Sequence, residues 1–213
     1  MTGPIRLDPA QRPRATETLT QAFRHDPMYL YICPDEAARV AATRRLWDAI
    51  IRLILIYGEV WTTAEVSGVA CWLAPGHTTI GLRHMLRTGF ALPRALMGFP
   101  PDARRRAMGV FDYTERLHQR AMPGPHWYLM ALGVAPASQG QGIGSSLIQP
   151  VLAQADAAGL PCYLETETKR NVAFYQKHGF EALTAEKPPR HDLMLWTMAR
   201  QPTPGVRGAA GKT

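Results

Sequence analysis

Three glycines alternate with other residues where a predicted strand passes into a predicted helix. Gly140, Gly142 and Gly144 lie in the segment 139–144, which reads Gln-Gly-Gln-Gly-Ile-Gly. Glycine leaves no side chain in the way of a phosphate, and the first backbone N–H groups of a helix are free to donate to an anion. A plain turn is the alternative, but three alternate glycines exceed what a turn requires. The segment therefore predicts an anion cradle.

The spacing of this segment narrows the class of phosphate ligand. A dinucleotide-binding fingerprint requires glycine at position 145, where this chain has Ser145. The Lys-Ser/Thr ending of a P-loop is also missing from the segment, and with it the usual phosphate and metal contacts of nucleotide hydrolysis. The sequence thus disfavours both a Rossmann site and an ATP-using enzyme.

A second motif follows in a helix predicted over residues 169–178. It begins at Asn171 and reads Asn-Val-Ala-Phe-Tyr-Gln-Lys-His-Gly-Phe. Asn171 and Tyr175 are four residues apart, so both lie on one face of the helix and can reach one ligand. A core tyrosine with a satisfied hydroxyl is the structural alternative for Tyr175.

Both motifs resemble those of the GNAT acetyltransferases. Residues 139–144 are similar to the family's Q/R-x-x-G-x-G/A motif, and residues 171–180 to its late N-x-x-x-x-Y-x-x-x-G-F motif. In that family the first motif joins a splayed central strand to the helix whose start binds the pyrophosphate of coenzyme A. The resemblance implies acetyl-CoA as the acyl donor and no metal.

The resemblance also implies roles for individual residues. Tyr175 would protonate the departing thiolate, and backbone groups around Leu132, Gly133 and Val134 would hold the pantetheine arm and polarise the thioester carbonyl. Gly133 also suggests a bulge in its strand, with or without a function. The expected donor-binding residues are Leu132, Gly133, Val134, Gln139, Gly140, Gln141, Gly142, Ile143, Gly144, Ser145 and Asn171.

Amine acetylation requires a base, because only a neutral amine attacks a thioester. Glu165 is the main candidate, at the end of a strand predicted over 161–165. The pattern of Leu-Glu-Thr, then Arg-Asn, then Phe-Tyr resembles puromycin N-acetyltransferase-like members of the family, in which the matching glutamate is placed to act as the base. A surface carboxylate is equally consistent with the sequence. Glu167, on the same strand face, and His191 stay open as alternative bases.

The elements around these motifs predict an α/β fold. The resemblance implies a mixed central sheet of about six to seven strands flanked by helices. Periodicity predicts helices over 9–23, from 36 to before Gly58, and over 102–120, 143–158 and 169–178. Strands are predicted over 59–63, 66–73, 126–134, 161–165, 180–184 and 191–197.

The domain organisation predicted from these elements is one domain over residues 1–200. Residues 75–125 are interpreted as a helical insertion over the acceptor side, and residues 201–213 as a disordered tail. Tyr29 and Tyr31, between Pro27 and Pro34, are placed in a loop that contacts the acceptor. The tryptophans are interpreted as core residues; they include Trp47, Trp61 and Trp72.

Composition limits the class of protein and the cellular compartment that are expected. The chain has 213 residues, of which 46% are hydrophobic and 19% charged, as in ordinary globular domains. Its three cysteines lie far apart and cannot complete a disulfide framework, which favours a reducing cytoplasm. The sequence shows no secretory signal within its first thirty residues, and its most apolar run, 49–57, is too short to span a bilayer. A cytoplasmic protein without a membrane partner is expected.

The net charge of +7 makes anionic partners attractive, nucleic acid among them. Arg104, Arg105 and Arg106 form the densest basic run, but no nucleic-acid-binding signature accompanies it, so it is interpreted as a solvated helix face. The phosphates of coenzyme A account for part of the positive charge. No nucleic-acid partner is expected.

The function predicted from the sequence is direct transfer of an acetyl group from acetyl-CoA to a primary amine of a small molecule, such as an antibiotic or a toxic amine. The alternatives are acetylation of a protein or peptide, and a non-catalytic sensor of acyl-CoA. A homodimer is expected by analogy with the family. The sequence leaves open the acceptor and the length of the acyl chain.

Overall fold

One mixed sheet organises the chain. The computed structural model describes residues 3–188 and 193–203, which form eight α-helices and seven strands. The helices are α1 Arg12–Ala22, α2 Pro27–Ile32, α3 Glu36–Tyr57, α4 Leu82–Arg87, α5 Ala91–Leu96, α6 Pro101–Ala121, α7 Ile143–Ala158 and α8 Lys169–Gln176. The strands are β1 Ile5–Arg6, β2 Gly58–Thr62, β3 Gly68–Leu73, β4 Trp127–Val134, β5 Cys162–Thr166, β6 Glu181–Glu186 and β7 Leu195–Arg200.

The strand order is β1-β2-β3-β4-β5-β7-β6, and all neighbours are antiparallel except β4 and β5. The parallel pair is short: Trp127 pairs with Cys162 and Tyr128 with Tyr163, and in the described parts of the chain the pairing ends there. β4 continues to Val134 and β5 to Thr166. The sheet therefore opens between the carboxyl ends of its two central strands.

Side chains on the two faces of the sheet belong to two separate hydrophobic cores. Val69 and Cys71 of β3 face the core that contains the buried sides of α1 and α3, whereas Trp72 faces the core that contains α7. All six residues of β3 are buried, as expected for a strand covered on both faces. The predicted α/β sheet flanked by helices is confirmed.

The strand irregularity in β4 lies elsewhere than predicted. Gly133 pairs regularly with Val69. The register shift lies nearer the start of β4: Cys71 pairs with Ala131 and Trp72 with Leu129, so Met130 has no paired residue on β3. The prediction of a bulge at Gly133 is therefore wrong. A side chain there would meet Leu19 Cδ2 at 2.8 Å, so glycine is needed for the close approach of α1.

The placement of Tyr29 and Tyr31 in a loop is also wrong, because both lie in α2. Asp26 caps this helix, accepting hydrogen bonds from the backbone N–H groups of Met28 and Tyr29, and Pro27 is its first residue. An Asp-Pro pair can end one helix and also start the next. Tyr29 is buried against Phe23 and Trp47.

Trp47 and Trp72 are core residues as predicted, and Trp61 is half-buried with the Arg6 guanidinium 4.8 Å from its ring centre.

The region predicted as an insertion contains α4, α5 and α6, and α6 packs on α2 and β7. Its role over the acceptor side stays a prediction, as does the disordered tail, since residues 204–213 lie outside the described residues.

The last strand starts at Leu195 rather than at 191 and ends at Arg200, whose guanidinium forms two hydrogen bonds to Asp156. None of the described helices combines the length and apolarity needed to cross a bilayer.

Candidate active site

The glycine segment leaves the start of α7 open. Gly140 and Gly142 have φ angles of 77° and 78°, in the left-handed region that favours glycine, and a side chain at either would meet nothing within 4 Å. Asp35 and Thr168 cap α3 and α8 with side-chain oxygens, but α7 begins at Gly142 without a side-chain cap. The backbone N–H groups of residues 143–145 can therefore donate to an external anion.

The second motif packs against this opening. His178, just after α8, lies with Nε2 at 3.0 Å from Ser145 Oγ and Nδ1 at 3.4 Å from Gln149 Nε2. A side chain at Gly144 would contact the Phe174 ring at 3.5 Å. The two motifs, separate in the sequence, form one wall. His178 lies within the second motif, but nothing in its sequence position singles it out.

The remaining residues predicted to bind the donor lie around the same opening. Gln139 donates from Nε2 to the carbonyl oxygen of Val134 at 3.1 Å and ties the segment to the end of β4. Gln141 is exposed, whereas Ile143 is buried as an anchor for α7. Asn171 is half-buried, and its backbone N–H donates to the Thr168 hydroxyl. Leu132, Gly133 and Val134 pair with β3 on one side and face the opening between β4 and β5 on the other.

Tyr175 is buried beside this wall. Its ring packs edge-on against Phe174 and Phe180, with ring centres 5.1 and 5.7 Å apart. Burial raises the pKa of Tyr175 well above its usual value, and the Glu167 carboxylate raises it further. The hydroxyl therefore holds its proton at neutral pH and has it available for a leaving group.

Glu165 occupies the far end of β5, where the strands have separated. Its Oε2 accepts a hydrogen bond of 2.8 Å from the Tyr128 hydroxyl, while Oε1 is buried without a hydrogen-bond partner among the described residues. Burial raises the pKa of Glu165 to about 7, against the opposing effects of His118 and the Tyr128 hydroxyl. A carboxylate with a pKa near neutrality can both accept and release a proton.

Glu167 lies near Glu165, and Asp26 lies near Glu167. Burial raises the pKa of Glu167, and the charges of Asp26 and Glu165 raise it further. Burial also raises the pKa of Asp26, despite two backbone N–H groups that lower it. The structure thus concentrates three acids near the end of β5. His191, the other alternative base, lies outside the described residues.

Several side chains of this cluster did not stand out in the sequence. Tyr163 is two residues before Glu165 on the same strand face, and its buried hydroxyl lowers the pKa of the Glu165 carboxyl, as the Tyr128 hydroxyl does. Tyr128 lies opposite Tyr163 in the β4–β5 pairing. His118 of α6 stacks on the Tyr163 ring with 4.6 Å between ring centres and 9° between planes. The alternation of β5 could have indicated Tyr163, whereas only the packing of α6 reveals His118.

Metal ligation finds no support within the described ranges 3–188 and 193–203, where no group of three or more His, Cys, Asp or Glu side chains is arranged to hold an ion. Cys33, Cys71 and Cys162 are free thiols, each buried separately. The chemistry that the described site offers is proton transfer at Glu165 and Tyr175 together with anion binding at α7.

Comparisons with known proteins agree with this geometry. A sequence model of the Acetyltransferase (GNAT) family matches residues 101–180. An uncharacterized N-acetyltransferase of Schizosaccharomyces pombe is 28% identical over 181 residues, which cover 82% of this chain and 72% of that protein.

Solved structures share the fold. A Corynebacterium glutamicum structure described as histone acetyltransferase HPA2 and related acetyltransferase superposes with a TM-score of 0.63 at 21% identity, covering 96% of this chain and 98% of the other. Arylalkylamine N-acetyltransferase 2 from Aedes aegypti gives a TM-score of 0.62 at 13% identity, covering 94% and 98%. The matched segment, the S. pombe relative and the opened sheet agree with one another: residues 101–180 match the GNAT family of acetyltransferases, and the chain shares its fold with solved acetyltransferase structures.

Proposed function

We propose that the protein transfers the acetyl group of acetyl-CoA directly to the primary amine of a small cationic molecule. The observation that carries this proposal is Glu165, a half-buried carboxylate at the opening of the sheet with one oxygen held by the Tyr128 hydroxyl and the Tyr163 hydroxyl also acting on the carboxyl group. Its pKa near 7 suits a base that works at neutral pH.

The donor side fits acetyl-CoA, which supplies an activated acyl thioester. The uncapped start of α7 offers backbone N–H groups to a pyrophosphate, and the glycines at 140 and 142 leave the approach open. The edge of β4 at residues 132–134 faces the opening between β4 and β5, where its backbone can hydrogen-bond to pantetheine amides.

The acid and the base have separate tasks. Glu165 removes a proton from the acceptor's ammonium group, and the neutral nitrogen attacks the thioester carbon. As the C–N bond forms and the C–S bond breaks, Tyr175 gives its proton to the departing sulfur, and the second proton that leaves the nitrogen returns to Tyr175 directly or through water. One proton is released for each acetyl group transferred, and Glu165 must return its proton to solvent before the next cycle.

A cationic acceptor suits the acidic character of this end of β5. Glu165 has Glu167 nearby, with Asp26 beside Glu167, and the ionised form of Glu165 attracts an ammonium group. The Aedes protein that shares this fold is named for small amines of the arylalkylamine type. The helices between residues 75 and 125, predicted to cover the acceptor side, would favour a small molecule over a peptide.

The test is release of free thiol from acetyl-CoA with a panel of amines: puromycin, aminoglycosides, polyamines and a peptide. We expect turnover on a small cationic amine and a loss of about 10- to 100-fold in kcat for Tyr175→Phe. Tyr113→Phe is a matched control, because its hydroxyl bonds Glu186 on the surface side of α6. Turnover on the peptide alone would establish peptide acetylation, and donor binding without any turnover would establish a sensor.

A cytoplasmic location and a homodimer are further proposals. Three free, buried cysteines support a reducing compartment. The outer strand β6 offers an exposed edge, with Leu183 46% exposed, to which a second copy could add. We propose no nucleic-acid or membrane partner.

A further inference from the structure

Two histidines form a buried pair beside the candidate base. His118, near the end of α6, and His126, just before β4, are each 2% exposed. Their Nε2 atoms lie 2.7 Å apart, and His126 Nδ1 lies 2.7 Å from the carbonyl oxygen of Gly124. Neither histidine is used in the chemistry described above.

The hydrogen bonds fix where the protons of this pair lie. A carbonyl oxygen only accepts, so His126 Nδ1 must donate to Gly124. Burial lowers the pKa of His126, so its ring is neutral and its Nε2 accepts. His118 must then donate from Nε2. Its Nδ1 is left buried without a hydrogen bond to any described residue, 3.9 Å from Glu115 Oε2.

His118 also connects to the candidate base through two tyrosines. It stacks on Tyr163 and packs against Tyr128, with 4.5 Å between the latter ring centres. Tyr128 donates to Glu165 at 2.8 Å, and Tyr163 lies on the same face of β5 as Glu165. The imidazole therefore supports both aromatic rings that flank the carboxylate.

We infer that His118 is a positioning residue for Glu165, and that His126 holds His118 in that orientation. This inference rests on the proposed function for its catalytic meaning, but the contact itself does not depend on the acceptor. His118 lowers the pKa of Glu165 against the raising effect of burial, and so favours the ionised carboxylate, which is the form that accepts the proton of the amine.

Other ionisable groups face this cluster and must stay constant in any test. They come from α6, β4, β5 and the segment that follows β5. They are Glu115, Arg120, His126, Tyr128, Tyr163 and Glu167. Arg120 forms an ion pair with Glu186.

Two substitutions separate the hydrogen bond from the ring packing. His118→Gln keeps a donor toward His126 without the ring, whereas His118→Phe keeps a ring to stack on Tyr163 without the donor. If His118 favours the ionised form of Glu165, both variants move the acidic limb of the kcat/KM profile to higher pH, so that activity at pH 7 falls about threefold or more and recovers near pH 8.5. His126→Gln should give a smaller shift in the same direction. His84→Gln is a matched control, a histidine 3% exposed on α4.

A titration of Glu165 makes the inference independent of the acceptor. Carboxyl carbon NMR of the full-length protein, with Glu165→Gln to assign the signal, should show Glu165 titrating at higher pH in His118→Gln than in the wild type. That result supports the inference even if no amine in the panel is acetylated. An unchanged Glu165 titration in folded His118→Gln and His126→Gln proteins would overturn it, whatever the acetylation assay shows.

Discussion

The start of α7 and the cluster around Glu165 flank the same opened pair of strands but differ in composition. The first is exposed and built from backbone: positive φ angles at two glycines and helix N–H groups without a side-chain cap. The second is built from buried side chains of α6, β4 and β5, where Glu165 is held by Tyr128 and influenced by His118.

This difference separates two ways of making a site. A backbone site needs only the conformation of one short segment, so its specificity is for a chemical group, here an anion. A side-chain site needs several elements in register, and burial then changes the proton affinity of its acids. We expect changes at the first to alter donor affinity, and changes at the second to alter the chemical step and its pH dependence.

Glu165→Gln should have the largest effect. The amide keeps the shape and can still accept from Tyr128 but cannot take a proton, so kcat/KM should fall at least about 100-fold. Donor affinity measured by calorimetry should stay unchanged. Glu181→Gln, an exposed glutamate on β6, is the control. Full activity in Glu165→Gln would move the base to Glu167 or His191.

The pH dependence should follow Glu165. Its pKa is raised to about 7, and only the deprotonated form accepts a proton. As pH falls through 7 the carboxylate becomes protonated, so kcat/KM should drop about tenfold for each further pH unit. Initial rates between pH 5 and 8 would show this limb. A profile that stays flat down to pH 5 would contradict Glu165 as the base.

Gly142→Ala should weaken acetyl-CoA binding by about tenfold, or about 1.4 kcal/mol. At a φ of 78° alanine is strained, and the first turn of α7 would shift away from the anion. Gly159→Ala, at the other end of α7 with a φ of 65°, imposes a similar strain far from the opening. Both variants should lose stability in thermal unfolding, but equal losses of donor affinity would contradict an anion site at the start of α7.

Thr168→Ala should have the smallest effect. The Thr168 hydroxyl accepts from the backbone N–H of Asn171, and its loss should cost about 1 kcal/mol. The melting temperature should fall by about 2 to 4 °C. Because α8 packs beside the expected donor site, any change in activity should appear in the KM for acetyl-CoA. The acidic limb of the kcat/KM profile against pH should stay unchanged. Lys169→Ala, the exposed neighbour, is the control.

The sequence by itself determined the parts of the molecule that depend on neighbours along the chain. α7 has the predicted bounds Ile143–Ala158, and α8 begins at the predicted residue 169. Local features account for both helices: the Thr168 side chain caps α8, and Gly159 adopts a left-handed conformation after α7. The resemblance to the GNAT family, and the class of reaction that it implies, followed from two motifs that are each contiguous in the chain. Local rules were insufficient where one residue pair served two elements, as with Asp26 and Pro27 at the start of α2.

Only the tertiary structure decided what surrounds Glu165. The sequence offered Glu165, a carboxylate at a strand end, as the main candidate, and left Glu167 and His191 open as alternatives, because neither burial nor the approach of α6 can be deduced from one strand. His118 lies 47 positions before Glu165 in the chain, and it reaches the carboxylate's surroundings only because α6 packs across the sheet. Gly133 likewise has a role fixed by α1, whose Leu19 leaves no room for a side chain. Proton affinity depends on the whole surroundings of a group, and those are set by packing between distant segments.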